Sequence, residues 1–138
     1  MALDPKKDLI PTGWWTAKLF FLEDGNTIGE MMLLHSLGSN VYIGPYDKCH
    51  IRVPYSNSNL KFFIRLIPYV TALDTKPVWI VQSVQREITY YICDGNGHRQ
   101  IALQPGMKYL LNDGQILQTD ISNVSLKYMI YFSKYCYK

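Results

Sequence analysis

The sequence predicts an all-β fold, a β-sandwich of about eleven short strands, and two observations support this prediction. Short runs rich in β-branched and aromatic residues recur along the chain, and the gaps between them hold Gly, Asn, Asp or Pro in turn combinations. Helical spacing of apolar residues is hard to find, and the nearest case, from Glu30 to Leu37, lacks caps and fits a strand better. One domain is expected, because 138 residues suffice for one core and are too few for two ordinary domains.

The first half of the chain alternates strands with turns. Residues 1–12 contain two prolines and two lysines and are expected to form a flexible arm ahead of a domain at 13–138. The run Glu23-Asp24-Gly25-Asn26 combines residues that tolerate positive φ, so it predicts a hairpin turn. Strands are predicted at 14–22, 28–35, 41–44, 50–53 and 62–66.

The second half continues the same pattern. Asp94-Gly95-Asn96-Gly97 lies between two apolar runs and is a strong short-range hairpin signal. Turns are also expected at Pro105-Gly106 and at Asn112-Asp113-Gly114. Strands are predicted at 67–70, 78–82, 88–93, 99–103, 107–111, 116–118 and 125–132.

Composition excludes several classes of protein. No apolar run approaches the roughly 20 residues of a membrane span, and the N-terminus lacks the apolar stretch of a secretory signal. The net charge of +3 comes from basic residues that are spread without a cluster, so neither nucleic acid nor membrane is an expected partner. Cys49, Cys93 and Cys136 lack metal-ligand spacing, and their odd number favours buried thiols in a reducing compartment. No metal or cofactor is expected.

Catalysis has little support in the sequence. No Ser-His-Asp order, glycine-rich phosphate loop or paired acid motif stands out among 11 carboxylates and 3 histidines. The chain is therefore not expected to be an enzyme.

The central stretch, residues 41–66, carries a family resemblance. An apolar strand ends in Ile43-Gly44, Cys49 follows five residues after the glycine, and the strand HIRV, a Ser-Asn loop and the strand FFIRL come next. This order resembles the forkhead-associated (FHA) domain, and Trp79 with the later turns fits it too. The resemblance covers roughly Leu19 to Phe132. It implies a non-enzymatic sandwich whose loops at one end bind phosphothreonine peptides.

The contact residues that the family uses are only partly present. FHA domains follow the first-loop glycine with an arginine, whereas Gly44 is followed by Pro45, which has no donor. Matched to the family, Ser58 and Asn59 keep the second-loop donors, and Lys61 replaces a buttressing histidine. Arg52 and Arg86 are candidates for additional contacts with the phosphopeptide. Ser and Asn are also ordinary turn formers, so this loop would look the same in a site that binds nothing.

The third binding loop has two possible registers. In one, Asn96 of the turn at 94–98 takes the place of the family's peptide-gripping asparagine. In the other, the loop is at 84–87 and that asparagine is missing. The second register gives the usual interval after Trp79 and is the preferred interpretation.

Self-association is the main expected activity, and phosphothreonine reading is the alternative. The family likeness is greatest to the FHA domain of a nuclear, chromatin-associated scaffold of the DNA-damage response, which implies nuclear localisation and a domain that pairs with itself. Eleven tyrosines and three tryptophans exceed what a small sandwich is expected to bury, and the last predicted strand is interpreted as an edge strand with aromatic residues on both faces. The candidate dimer residues are Trp14, Trp15, Tyr128, Tyr131, Tyr135 and Tyr137. The alternative is that these side chains cover each other within one chain.

Overall fold

The chain forms two β-sheets that face each other, as seen in a computed structural model that describes residues 13–34, 38–55, 60–69 and 76–134. The strands are β1 Gly13–Glu23, β2 Asn26–Leu33, β3 Val41–Gly44, β4 Ile51–Arg52, β5 Ile64–Pro68, β6 Trp79–Ser83, β7 Tyr90–Cys93, β8 Arg99–Ala102, β9 Lys108–Leu111, β10 Ile116–Thr119 and β11 Val124–Lys134. The predicted all-β sandwich of eleven strands is confirmed. The arm predicted at 1–12 lies outside the described residues.

The larger sheet has six strands in the order β2-β1-β11-β10-β7-β8. Its longest strand pair is the antiparallel pair of β1 and β11, in register from Gly13 opposite Lys134 to Glu23 opposite Val124. The hairpin of β1 and β2 turns at Asp24 and Gly25, whose φ angles of 52° and 81° are both positive. Positive φ at both central positions is what a tight hairpin turn requires, so the turn predicted from this pair of residues is present.

The smaller sheet has five strands in the order β4-β3-β5-β6-β9. Four of them are antiparallel neighbours, whereas the two-residue β4 lies parallel to β3, with Ile43 opposite Ile51. A parallel partner must run the same way as β3, so the chain crosses back between them through residues 45–50. This short return loop is the first of the loops that meet at one end of the sandwich.

The core lies between the sheets and follows the alternation of the strands. Trp79 and Val81 of β6, Leu19 of β1, and Ile64 and Leu66 of β5 are all fully buried. The alternate residues Lys18, Arg65 and Ile80 are only partly buried, as the two-residue period of a strand predicts. Packing in the core determines which side of each strand faces inward, and this in turn determines where the loops leave the sheets. Among the described residues, no helix is long and apolar enough to cross a membrane.

The prediction that the last strand is an edge strand was wrong. β11 lies between β1 and β10, and the edges of its sheet are β2 and β8. Tyr128, named as a dimer residue, is fully buried because it lies opposite Leu19 on the core face of the sheet. Its side chain is therefore not available to a partner.

Candidate functional site

The loops of one end of the sandwich converge where β3 stops and where β5, β7 and β9 start. We call this the loop end; its described segments are 45–50, 53–55, 60–63, 84–89 and 103–107. Gly44 permits the closest approach there, because a Cβ on it would lie 2.4 Å from the Phe62 Cα and 3.0 Å from the Lys61 carbonyl oxygen. The Gly44 carbonyl accepts from the Val53 N–H at 2.9 Å, which ties the first and second loops together.

Arg52 brings a cation to the first loop. Its side chain is exposed, and its Nε donates to the Pro45 carbonyl oxygen at 3.4 Å. The guanidinium thus lies beside the position where FHA domains carry an arginine and this chain carries Pro45. A planar guanidinium with several donors suits an oxyanion such as phosphate.

Cys49 joins the first loop to the start of β5. Its backbone N–H donates to the Tyr46 carbonyl at 3.0 Å, and its thiol donates to the Lys61 carbonyl at 3.3 Å. Burial raises the pKa of the Cys49 thiol, so the group stays protonated and keeps this donor. The Cys49 thiol therefore holds the backbone of Lys61 against the first loop.

Lys61 is exposed and lies beside a second lysine. Lys48 and Lys61 line one small cavity, of about 210 Å³, together with the aromatic rings of Tyr42, Tyr46 and Phe62. The site that the sequence predicted thus has Arg52 and Lys61 at one end of the sandwich. Ser58 and Asn59 lie outside the described residues.

The third loop is the segment at 84–89, and Gln85 closes it. The Gln85 amide donates to the Ile88 carbonyl and accepts from the Ile88 N–H, both at 2.8 Å. The Ser83 hydroxyl donates to the Gln85 carbonyl at 3.1 Å. Arg86 is exposed on this loop and lines a cavity of about 630 Å³ with residues that precede β9, such as Pro105.

Asn96 is not part of the loop end. It lies in the β7–β8 turn, at the far end of β7 from Tyr90, and thus at the opposite end of the sandwich from the segment 84–89. In that turn the Asp94 carboxylate accepts from the backbone N–H groups of Asn96 and His98, each at 2.9 Å. The hydrogen bond from the His98 N–H is the main cause that lowers the pKa of the Asp94 carboxyl. The role of Asn96 is thus in a structural turn.

Three of the candidate dimer residues, Trp14, Trp15 and Tyr131, lie at the opposite end of the sandwich from the loop end. The pairings of β2 with β1 stop at Ala17, and those of β10 with β11 stop at Lys127, so β1 and β11 continue beyond the strands that pair with them. The turn before β10 still contacts β11, because the Ile130 N–H donates to the Asp113 carboxylate at 2.7 Å. We call residues 13–16 and 130–134 the terminal ribbon. Trp15 packs on Phe132 with ring centroids 5.0 Å apart.

The exposure of the ribbon's aromatic rings differs from one to the next. Trp14 and Trp15 are half-buried, and the Lys76 ammonium lies 6.0 Å from the Trp15 ring. Phe132 is 42% exposed and Tyr131 is 38% exposed. Three of the six candidates, Trp14, Trp15 and Tyr131, thus lie on the ribbon. Tyr128 is buried, and Tyr135 and Tyr137 lie outside the described residues.

Sequence analysis missed the roles of two residues at the loop end, Gln85 and Tyr90. Gln85 was treated only as a loop residue, although a Ser83-x-Gln85 turn with an adjacent amide is a pattern that closes loops locally. Tyr90 was treated as a strand residue, but its buried hydroxyl has no hydrogen-bond partner within the described part of the chain. No local sequence signal marks that hydroxyl, because its surroundings come from both sheets.

An eleven-strand, mainly antiparallel sandwich with loops gathered at one end defines a class of protein, and solved structures of that class resemble this chain. The MEK1 FHA domain matches with a TM-score of 0.65 and 18% identity, over 83% of this chain and 89% of that one. The yeast Dun1 FHA domain, solved with a doubly phosphorylated peptide derived from Rad53, matches with a TM-score of 0.58 and 15% identity, over 94% and 82%. A complex of the MEK1 FHA domain with a HOP1 phosphothreonine peptide gives a TM-score of 0.56 and 18% identity, over 81% and 95%.

These likenesses show that the chain has the FHA fold. No protein-family model and no curated protein sequence matches it. Among the described residues, no group of three or more His, Cys, Asp or Glu side chains could hold a metal ion.

Proposed function

We propose that the chain is a non-catalytic protein-interaction module that acts mainly by pairing with a second copy of itself. Its phosphothreonine site is weakened, because Pro45 follows Gly44 where FHA domains carry an arginine. The setting that we propose is a nuclear scaffold of the DNA-damage response, because the motifs in residues 37–66 and 103–117 resemble those of the FHA domain of the mediator of DNA damage checkpoint protein. Phosphothreonine-containing proteins are the second class of partner.

The terminal ribbon carries the proposal of self-association. Among the described residues, β11 extends past Ile130 beyond β10, and a strand edge without a paired strand offers backbone groups to another chain. Phe132 and Tyr131 add exposed aromatic surface, a residue type enriched at interfaces. A second copy that adds its own ribbon would pair these strands and cover the aromatic rings together.

Sedimentation of the bacterially expressed, unphosphorylated chain tests self-association. We expect a dimer at micromolar concentration, and we expect Phe132→Lys to weaken it at least about tenfold by placing a charge in the interface. Ile101→Lys is the matched control, because Ile101 is 41% exposed on β8 at an edge of the same sheet. A monomer at about 100 micromolar would remove the proposal, since even weak specific dimers form at that concentration.

A second candidate function is the reading of phosphothreonine peptides, and Arg52 favours it. Its guanidinium lies at the first loop, from β4 instead of from position 45, and the exposed Lys61 lies beside the second loop. Two of the similar FHA domains were solved with phosphorylated peptides. A displaced guanidinium loses the ideal geometry of a paired phosphate contact, so affinity is expected to fall by about ten- to a hundredfold.

Titration with phosphothreonine and unphosphorylated peptides tests this second function. Arg52→Gln should weaken phosphopeptide binding at least about tenfold, since it removes a charged hydrogen bond. Lys127→Gln, on the outer face of the larger sheet, is the control and should change little. Submicromolar affinity that survives Arg52→Gln but is lost with Ser58→Ala would show that the site is not weakened. Imaging of a fluorescent fusion before and after DNA damage tests the nuclear setting.

A further inference from the structure

A cavity of about 360 Å³ lies between the two sheets and borders β4. It is lined from the smaller sheet by residues of and beside β4, and from the larger sheet by residues of β1, β2, β7 and β11. We propose that this inter-sheet cavity binds a small organic anion, an apolar body that carries one carboxylate. This cavity is distinct from the terminal ribbon, and it shares Arg52 with the phosphothreonine site proposed above.

Tyr90 is the first observation that points to a ligand. It lines the cavity, it is 2% exposed, and its hydroxyl has no hydrogen-bond partner among the described residues. A buried hydroxyl without a partner is costly, and a ligand atom that accepts from it removes that cost. Burial raises the pKa of Tyr90, so the hydroxyl keeps its proton and remains a donor. Trp79 also has an unpartnered buried donor, but it borders a smaller cavity of about 210 Å³.

The other polar groups of the lining are donors as well. Arg52 is a permanent cation. The His50 Nδ1 accepts from the Tyr42 N–H at 3.0 Å, so a neutral His50 carries its proton on Nε2. The Ser122 Oγ accepts from the Val124 N–H at 3.1 Å, which leaves its own hydrogen to donate. Among the described residues, no carboxylate and no side-chain amide lines the cavity, so the matching ligand group is an acceptor with negative charge.

The remaining walls determine the rest of the ligand. Phe21, Ile28, Val53 and Leu126 give the cavity an apolar lining on both sheets. Its volume is at the lower end of the range for small-molecule sites, about 300–1,000 Å³. A single ring or branched chain with a short carboxylate arm fits these walls. 3-Phenylpropanoate has this chemistry and serves as the probe.

The test is a titration of the full chain with 3-phenylpropanoate, followed by the backbone amide NMR signals of Val53 and Val124. We expect saturable shifts with a dissociation constant of about a millimolar or below, as suits a ligand of this size. The neutral analogue 3-phenylpropan-1-ol should bind at least about tenfold more weakly, because it lacks the charge. Tyr90→Phe should weaken the acid at least about fivefold, which corresponds to one hydrogen bond.

Tyr128→Phe is the matched control, because Tyr128 also has a buried, unpartnered hydroxyl but does not line this cavity. Tyr90→Phe removes only an unpartnered group, so it is expected to fold, and its phosphopeptide binding should match the parent's. Absence of saturable shifts at about 20 millimolar probe, beyond the weakest affinity expected for this ligand size, would overturn the proposal. Equal affinity of the acid for the parent and Tyr90→Phe would also overturn it.

A carboxylate on an apolar body occurs both in free metabolites and at the C-terminus of a peptide that ends in an apolar residue. A second arm of the titration therefore uses a short peptide that ends in phenylalanine, with a free or an amidated terminus. Binding of the free acid alone identifies a small-molecule site. Tighter binding of the free-terminus peptide identifies a protein C-terminus as the source of the same chemistry.

Discussion

Gly44 is the residue whose environment is most restrictive at the loop end. A Cβ there would meet backbone atoms of Phe62 and Lys61, which cannot move without shifting β5. Gly44→Ala should therefore lower the free energy of unfolding by at least about 2 kcal/mol, as measured by urea denaturation. It should also separate the first and second loops and abolish any binding at that end.

Gly95→Ala is the control for this prediction. A Cβ at Gly95 would lie 3.6 Å from the Gly114 carbonyl oxygen, an ordinary contact, and its change should stay within about 0.5 kcal/mol. Equal effects of the two substitutions would show that the approach at Gly44 is not tight.

Because Tyr128 is buried, we expect the free energy of unfolding to fall at alkaline pH. Burial raises the pKa of Tyr128 above its ordinary value of 10.0, so above that pH the unfolded state loses a proton that the folded state keeps. The unfolded state then binds fewer protons, and the free energy of unfolding falls as the pH rises past about 10. Tyr128→Phe should make this fall shallower, and at neutral pH it should add about 1 kcal/mol by removing an unpartnered hydroxyl. Urea denaturation at neutral and alkaline pH measures both, and an unchanged alkaline slope would contradict the first.

At the scale of the element, the loop at 84–89 depends on one side chain. Gln85→Ala leaves the Ile88 N–H and C=O without their partner, so it should cost about 1–2 kcal/mol and increase amide exchange throughout the loop. Gln104→Ala is the control, since Gln104 is exposed and uses only backbone atoms in its described hydrogen bonds. If both variants exchange alike, the loop is held by other contacts.

The strands could be predicted from the sequence because local turn residues determine where they end. The turn at Asp24-Gly25 has the positive φ angles that these residues tolerate, and Gly114 has a φ of 85° in the predicted Asn-Asp-Gly turn. Such turns depend on a few neighbouring residues, so sequence alone identifies them. The position of Arg52 beside Pro45 required the structure, because it depends on β4 returning parallel to β3.

The order of the strands could not be predicted from local chemistry. Alternation in β11 correctly suggested two faces, but it does not say that β1 and β10 flank the strand. Tyr128 was therefore assigned to a surface, although the opposite sheet covers it. Asn96 shows the same limit, since its turn chemistry fits a binding loop or a plain hairpin equally well, and only the pairing of β7 with β8 distinguishes them.

At the scale of the whole molecule, the two proposed protein surfaces lie at opposite ends of one strand. β1 begins in the terminal ribbon at Gly13 and reaches Glu23 beside the loop end. At about 3.3 Å per residue, its length separates the two surfaces by roughly 30 Å. A dimer through the ribbons would thus leave both loop ends accessible. Two weak sites in one dimer can bind a doubly phosphorylated partner much more tightly than either site alone.

The pairing of β1 with β11 also has a consequence for the order of folding. The first and last described strands form the longest ladder, and they are separated by more than a hundred residues of sequence. Contacts of such separation close slowly, because the chain entropy of the intervening loop is lost before the ladder is complete. During synthesis, β1 leaves the ribosome before β11 does. Until β11 follows, the apolar side chains of Leu19 and Phe21 remain exposed. The nascent chain is therefore most prone to aggregation in the interval before its last strand is synthesised.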